Sequence, residues 1–161
     1  MTDVRPTFIP TVIYRDPMAA LRWLEAAFGF ETSILVTDGE GHVGHAEMAF
    51  RGGAVGVAGE WSGPQIGGVK MTSPANLPGD VATQFLWVTL DEGIDAHCER
   101  ARAAGARIVQ APEDQFYGAR TYRAHDLDGH VWCFSQEVRQ VSVADQEAAT
   151  GLKFAQSLKE A

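Results

Sequence analysis

The alternation of hydrophobic and polar residues is strongest near the end of the chain, where two alternating runs flank a turn. The runs cover residues 121–126 and 130–135, and Asp128-Gly129 lies between them. Asp-Gly suits the positive φ angles of a two-residue turn, so the pattern predicts a β-hairpin. Because successive strand residues point to opposite faces, the large aromatic residues of the second run share one face, which we expect a helix to cover.

The rest of the pattern predicts the order strand, helix, strand, strand, strand twice. Apolar residues at three- and four-residue spacing predict two helices, one ending at Gly29 and one ending at Gly105. Runs of β-branched and aromatic residues between glycine-rich turns predict the other strands, at residues 7–14, 31–37, 42–50, 54–59, 83–90 and 107–111. Two βαβββ modules therefore follow, at residues 7–60 and 82–136.

Two segments lie outside these modules, although we expect the whole chain, residues 1–161, to form a single domain. Residues 61–81 contain many glycines and prolines. An irregular connection of about 20 residues is uncommon in a compact domain and is often functional, so this segment is predicted to be a linker or lid. The C-terminal extension, residues 137–161, has Ser142 and Asp145 at the spacing of a capping box, which predicts a short helix.

Composition restricts the class of partner. The chain has 161 residues, 45% of them hydrophobic, and a net charge of −8, which opposes binding to nucleic acid or to anionic lipid. It has neither the pattern of a signal peptide nor an apolar run near the roughly 20 residues of a membrane span, so we expect a cytoplasmic protein. Two distant cysteines, Cys98 and Cys133, indicate no disulfide framework.

The segment Asp126-Leu-Asp-Gly-His-Val-Trp-Cys133 resembles the closing hairpin of the glyoxalase, bleomycin-resistance and extradiol-dioxygenase superfamily, also called the vicinal oxygen chelate superfamily. Members there have Asp-Pro-Asp-Gly, a few apolar residues and then a metal-binding Glu, and Cys133 stands at the position of that Glu. The resemblance covers residues 7–136. It implies an α+β fold of tandem βαβββ modules that form a curved, cup-like mixed sheet, with the helices outside and a ligand inside.

The resemblance also implies where a metal ion would bind, on the first and last strands of each module. The matching positions are Ile9, Val57, Phe85 and Cys133, with Gln84 one step away. None is a histidine or a carboxylate, the ligands that most divalent ions need. We therefore expect no metal and no other cofactor, and an apolar cup instead. The alternative is that the same residues simply fill a core.

Several polar and aromatic residues are candidates for contacts with a ligand. The loop at residues 112–120 resembles one that borders the cup in many relatives, although its aromatic residues could instead pack on one another. The resemblance and the strand pattern together predict a ligand-binding set of Val57, Trp61, Phe85, Trp87, Tyr117, Arg120, Tyr122 and Cys133. We predict no catalytic residue.

His45 and Glu47 share one face of a predicted strand, so they could form half of a metal site or an oriented base. The alternative is an ordinary solvated or hydrogen-bonded strand face. Arg123 occupies the corresponding strand of the second module. It could meet an anionic ligand, or it could pair with Glu47, which is the simpler prediction.

These observations predict a metal-free, small-molecule-binding protein that sequesters a partly aromatic ligand in a cup roofed by residues 60–81, and that forms a homodimer. The alternative is a metal-dependent lyase, isomerase or dioxygenase of the same superfamily, with a divalent ion at His45 and Glu47. A third possibility is an interaction protein whose cup is a filled core. The sequence leaves open whether the chain is an enzyme.

Overall fold

The computed structural model describes residues 5–159, and the first module forms its own four-stranded sheet. Its elements are β1 (Thr11–Tyr14), α1 (Pro17–Phe28), β2 (Glu31–Thr37), β3 (Val43–Phe50) and β4 (Gly53–Gly59). The strand order is β1-β4-β3-β2, with β1 parallel to β4 and the other neighbours antiparallel. Strand β1 is shorter than predicted, since Pro10 has no backbone N–H to donate, although its carbonyl still accepts a hydrogen bond from Gly56 of β4.

A small irregular unit connects the modules. It contains a hairpin of two short strands, β5 (Trp61–Ser62) and β6 (Lys70–Met71), and two short 3-10 helices, Pro64–Ile66 and Pro74–Asn76. The carboxylate of Glu60 holds its base together, since one oxygen accepts hydrogen bonds from Thr72, the Ser73 backbone and Asn76.

The second module repeats the order of the first. Its elements are β7 (Phe85–Leu90), α2 (Ile94–Ala103), β8 (Arg107–Asp114), β9 (Ala119–His125) and β10 (Val131–Glu137). The strand order is β7-β10-β9-β8, which has the same pattern of parallel and antiparallel neighbours as the first sheet. The predicted α+β fold of tandem βαβββ modules is therefore confirmed.

Local sequence sets the ends of the first helix. The Asp16 side chain accepts a hydrogen bond from the Ala19 backbone N–H at 2.9 Å, and Pro17 begins the helix with a φ angle that suits its first turn. Gly29 ends it in the left-handed region, at φ 72°, which glycine adopts without strain. The apolar stripe of α1 is thereby fixed against the sheet.

The two modules share one hydrophobic core. Helices α1 and α2 pack against each other, and each covers the sheet of its own module. The ring of Phe28, at the end of α1, reaches the second sheet, with ring centres 4.7 Å from Phe134 and 5.5 Å from Trp132. His97 of α2 stacks on Phe28 and bonds to the Phe28 carbonyl. Both sheets therefore turn one face to this core, and their opposite faces point away from it.

A buried polar network also joins the modules. The Asp126 carboxylate accepts hydrogen bonds from the Tyr14 hydroxyl at 2.7 Å and the Trp132 indole N–H at 2.9 Å, and it contacts Nδ1 of His130 at 3.0 Å. Burial is the largest influence on the pKa of Asp126 and raises it. The hydrogen bond and charge interaction with His130, together with hydrogen bonds from Trp132 and Tyr14, outweigh burial and leave the pKa below its ordinary value. The charged Asp126 carboxylate therefore connects Tyr14 of β1 to the β9–β10 turn through hydrogen bonds.

The C-terminal extension begins with a third helix, α3 (Val143–Thr150). Ser142 caps it as predicted, with its hydroxyl accepting from the Asp145 backbone N–H. Across residues 5–159, each helix is too short or too polar to cross a membrane.

Candidate functional site

The most accessible aromatic surface lies on the second sheet, on the side opposite the helices. Trp132 and Phe134 face the core, so the residues that alternate with them point outward. We call this surface the outer face, and it includes Phe85, Trp87, Thr89, Thr121, Arg123, Val131, Cys133 and Ser135. Phe85 and Trp87 remain 52% and 49% exposed, with ring centres 6.1 Å apart in an edge-to-face arrangement. Two large aromatic side chains are therefore available for contact.

Cys133, Tyr117 and Arg123 lie close together on the outer face. Burial raises the pKa of the Cys133 thiol, and the nearby Arg123 guanidinium only partly offsets this rise. The pKa of Tyr117 is also raised, first by burial and then by Cys133. Because only the thiolate is a strong nucleophile, Cys133 is suited to packing rather than to covalent catalysis.

Arg123 has an unusual environment for a cation. Its guanidinium donates a hydrogen bond to the side-chain oxygen of Gln110 at 2.7 Å, and its central carbon lies 5.9 Å from the centre of the Phe85 ring. Within residues 5–159 it forms no ion pair. The simpler prediction, a pair with Glu47 in the same chain, is therefore wrong, because Glu47 bonds to Arg5 and His45 instead.

A second polar group on the outer face lacks a partner. Thr121 is fully buried beside Ser135, its neighbour across the β9–β10 ladder. In the described part of the chain, its hydroxyl oxygen is the one buried side-chain polar atom without a hydrogen-bond partner. Buried hydroxyl groups nearly always have one, so the hydrogen-bonding capacity of this oxygen is unsatisfied.

Cavities flank the outer face at both ends. One, of about 620 Å³, lies between residues 74–82 and the side chains of Val109, His125 and Val131. The other, of about 520 Å³, lies between residues 137–141 and Thr89, Tyr117 and Ser135. The second half of the predicted lid therefore borders one end of the outer face. Trp61 lies in its first half, on the β5–β6 hairpin.

Three of the predicted ligand-binding residues lie elsewhere. Val57 faces the core with Val12, because the register predicted for the first module was off by one, and Gly56 takes the outward position. Tyr122 also faces the core, stacked on Phe134, and its hydroxyl bonds to Nδ1 of His97 at 2.6 Å. Arg120, near the start of β9, pairs with Asp95 and Asp114. The structure brings together Phe85, Trp87, Tyr117 and Cys133.

The alternative metal pair lies on the outward side of the first sheet. Nε2 of His45 is 3.1 Å from the Glu47 carboxylate, and the same carboxylate oxygen binds the Arg5 guanidinium. The Arg5 guanidinium already neutralises the Glu47 carboxylate, so His45 and Glu47 are poor ligands for a metal ion. Among residues 5–159, no three side chains of His, Cys, Asp or Glu are grouped to hold an ion, so the donors of one chain do not fit a metal centre.

A third cavity lies between the two modules. This cleft, of about 690 Å³, separates the edge of β7 from the β3–β4 turn, and its inner wall contains Phe30, Phe50, Leu86, Val88 and Trp132. Phe85 and Trp87 of the outer face also border it. Its wall is apolar and continuous with the shared core. No local sequence pattern predicts this cleft, because its two sides come from distant segments of the chain.

Comparison with known proteins agrees with this architecture. The family model described as the glyoxalase/bleomycin resistance protein/dioxygenase superfamily matches residues 9–134. The uncharacterized protein Mb0911c of Mycobacterium bovis is 33% identical over 147 residues, which are 91% of this chain and 93% of that protein.

Solved structures show the same similarity. TioX from Micromonospora sp. ML1 is 30% identical, with a TM-score of 0.63, and the match covers 83% of this chain and 99% of TioX. A glyoxalase/bleomycin resistance protein/dioxygenase from Nocardioides shares the fold, with a TM-score of 0.60 at 20% identity over 86% of this chain and 87% of its own. The matched hairpin, the paired modules and these relatives together show that the chain belongs to the glyoxalase/bleomycin resistance protein/dioxygenase superfamily.

Proposed function

We propose that this protein binds a small, partly aromatic molecule on the outer face of the second sheet, without a metal ion. The observation that carries the proposal is the exposure of Phe85 and Trp87, which lie side by side on β7, the strand at one edge of the second sheet. Large contiguous apolar patches on soluble proteins commonly mark binding sites. Arg123, over the Phe85 ring, and Thr121, two residues earlier on β9, would orient a ligand.

Binding is favoured over catalysis by the chemistry of the same face. The Cys133 thiol has a raised pKa, and His125, at the end of the face, contacts the Arg107 guanidinium. Burial, together with the charge of Arg107, lowers the pKa of His125. Burying about 250 Å² of apolar ligand surface supplies about 6 kcal/mol before the cost of association, whereas catalysis needs about 8 kcal/mol of selective transition-state stabilisation.

A homodimer is the second part of the proposal. Apolar exposure is not confined to the two aromatic rings on β7, because Val109, on the opposite edge strand β8, is also half-exposed. Such an extended surface is more than one small ligand covers, and a second copy of the chain would shield the remainder and close the cup.

Binding of naphthamide, a neutral aromatic probe, tests this proposal. Replacing Trp87 with alanine removes the indole and about 1.5–3 kcal/mol of apolar contact. We therefore expect the Kd, measured by isothermal titration calorimetry, to rise roughly 10- to 100-fold. Excess EDTA should leave the Kd of the unmodified protein unchanged.

Trp61→Ala is the matched control, because this tryptophan is about as exposed but lies on the β5–β6 hairpin. It should bind naphthamide like the unmodified protein. Equal affinities for the Trp87→Ala variant and the unmodified protein would place the ligand elsewhere, and loss of binding in EDTA would contradict the metal-free site.

A further inference from the structure

We infer that the ligand carries an anionic group, of the carboxylate class, which the Arg123 guanidinium binds beside its aromatic part. This inference rests on the proposed binding at the outer face and adds the charge of the molecule. It depends on the local surroundings of one arginine and on a neighbouring hydroxyl group.

The charge environment of Arg123 differs from that of most arginines in this chain. Six others form ion pairs with carboxylates: Arg5, Arg15, Arg51, Arg102, Arg107 and Arg120. The protein is strongly acidic, with a net charge of −8, so carboxylates are plentiful. A partly buried guanidinium whose acceptors are an amide oxygen and the Cys133 sulfur, with no carboxylate, is therefore poorly neutralised.

The position of the guanidinium suits an aromatic acid. It lies over the Phe85 ring, and Phe85 in turn contacts Trp87, so the charge and both rings belong to one continuous surface. The side-chain oxygen of Gln110 accepts a hydrogen bond from the Arg123 guanidinium at 2.7 Å, and the side-chain N–H of Gln110 donates to Glu113. Gln110 thereby fixes the orientation of the planar guanidinium. An arginine fork can bind a carboxylate through two parallel hydrogen bonds. A ring packed on Trp87 would place an attached acid group near Arg123.

Thr121 supports the same assignment. It lies two residues before Arg123 on β9 and therefore on the same face of the sheet. Its hydroxyl has no hydrogen-bond partner in the described residues although it is fully buried. A carboxylate oxygen that entered beside Arg123 would provide the acceptor that this hydroxyl lacks.

Comparison of naphthoate with naphthamide isolates the charge, because the two probes have nearly the same shape and differ in ionisation. We expect the unmodified protein to bind naphthoate about tenfold more tightly at constant ionic strength. In the Arg123→Gln variant this preference should disappear, with the affinity for naphthamide changed by less than about twofold. The Arg107→Gln variant is the control for a general loss of positive charge, since Arg107 pairs with Asp80, and it should keep the preference.

Each outcome separates this inference from the proposed function. Equal affinity of the unmodified protein for both probes overturns the inference alone, and would follow if a carboxylate from a second copy neutralised Arg123. A preference that survives in Arg123→Gln, with the fold confirmed by circular dichroism, also overturns it. Failure of both probes to bind contradicts the proposed function as well.

Discussion

Replacing Asp126 with alanine is expected to lower the free energy of unfolding by about 3–5 kcal/mol, because it breaks a buried, charged hydrogen-bond network. The substitution leaves the Tyr14 hydroxyl, the Trp132 indole N–H and the His130 ring without their acceptor, and all three groups are buried. It also removes the acceptor of two backbone N–H groups in the β9–β10 turn. Urea denaturation followed by circular dichroism measures the change.

Two variants make the Asp126 prediction specific. Tyr14→Phe removes one hydrogen bond of the network and should cost about 1–2 kcal/mol. Asp80→Ala removes an exposed carboxylate that pairs with Arg107, and should cost less than about 1 kcal/mol. If Asp126→Ala were no more harmful than Asp80→Ala, the network would not stabilise the fold.

The same network sets a dependence of stability on pH. The pKa of Asp126 is lower in the folded protein than its ordinary value of 3.8, so the folded state favours the charged form. The stabilisation is therefore complete above pH 3.8 and is lost as the pH falls below that value. The Asp126→Ala variant should lack this part of the acid sensitivity.

The second large effect is expected at Phe28, where alanine should cost about 3–5 kcal/mol of stability. The ring is fully buried and packs against aromatic side chains from both modules, including Trp23, Trp132 and Phe134. Deleting it leaves a cavity where α1 meets the second sheet. Because the core is shared, both modules should still unfold in one transition, seen by circular dichroism and by tryptophan fluorescence.

Phe8→Ala is the control for Phe28→Ala, since the Phe8 side chain is 87% exposed. We expect it to change the free energy of unfolding by less than about 0.5 kcal/mol. A similar small change for Phe28→Ala would show that the modules do not depend on a common core. Two separate unfolding transitions in the unmodified protein would show the same.

The fold could be predicted because local signals agree with the tertiary packing. The apolar stripe that includes Leu24 and Phe28 marks the buried side of α1, and Asp16 and Gly29 mark its ends. In the second module the large aromatic residues Trp132 and Phe134 fall on one side of β10, which separates the two faces clearly. The outward position of Cys133 follows from the same alternation.

The first module lacked such a marker. Residues 54–59 read Ala-Val-Gly-Val-Ala-Gly, with no polar residue to distinguish a solvent side from a core side. Val57 was assigned outward by resemblance to relatives, whereas the core required both valines and left Gly56 outward. Tyr122 was misplaced for a different reason. The loop before it suggested a ligand contact, while strict alternation with Thr121 and Arg123 would have placed it in the core.

Other features depend on contacts between distant segments, which no local pattern reveals. The Tyr14 hydroxyl and the Asp126 carboxylate are 112 residues apart in sequence. The isolation of Arg123 from carboxylates depends equally on tertiary structure, because Glu47, its predicted partner, meets Arg5 instead. Such pairings follow from how the sheets are placed around the shared core.

The central claim is that ligands bind on the outer face, and fluorine NMR of protein labelled with fluorotryptophan tests it most directly. Trp87 lies on the outer face and also borders the cleft between the modules, whereas Trp132 lines the cleft and faces away from the outer face. On titration with naphthoate, we predict that the Trp87 resonance shifts while the Trp132 resonance keeps its position. A shift of the Trp132 resonance would place the ligand in the cleft and contradict this account, whether or not the Trp87 resonance also shifts.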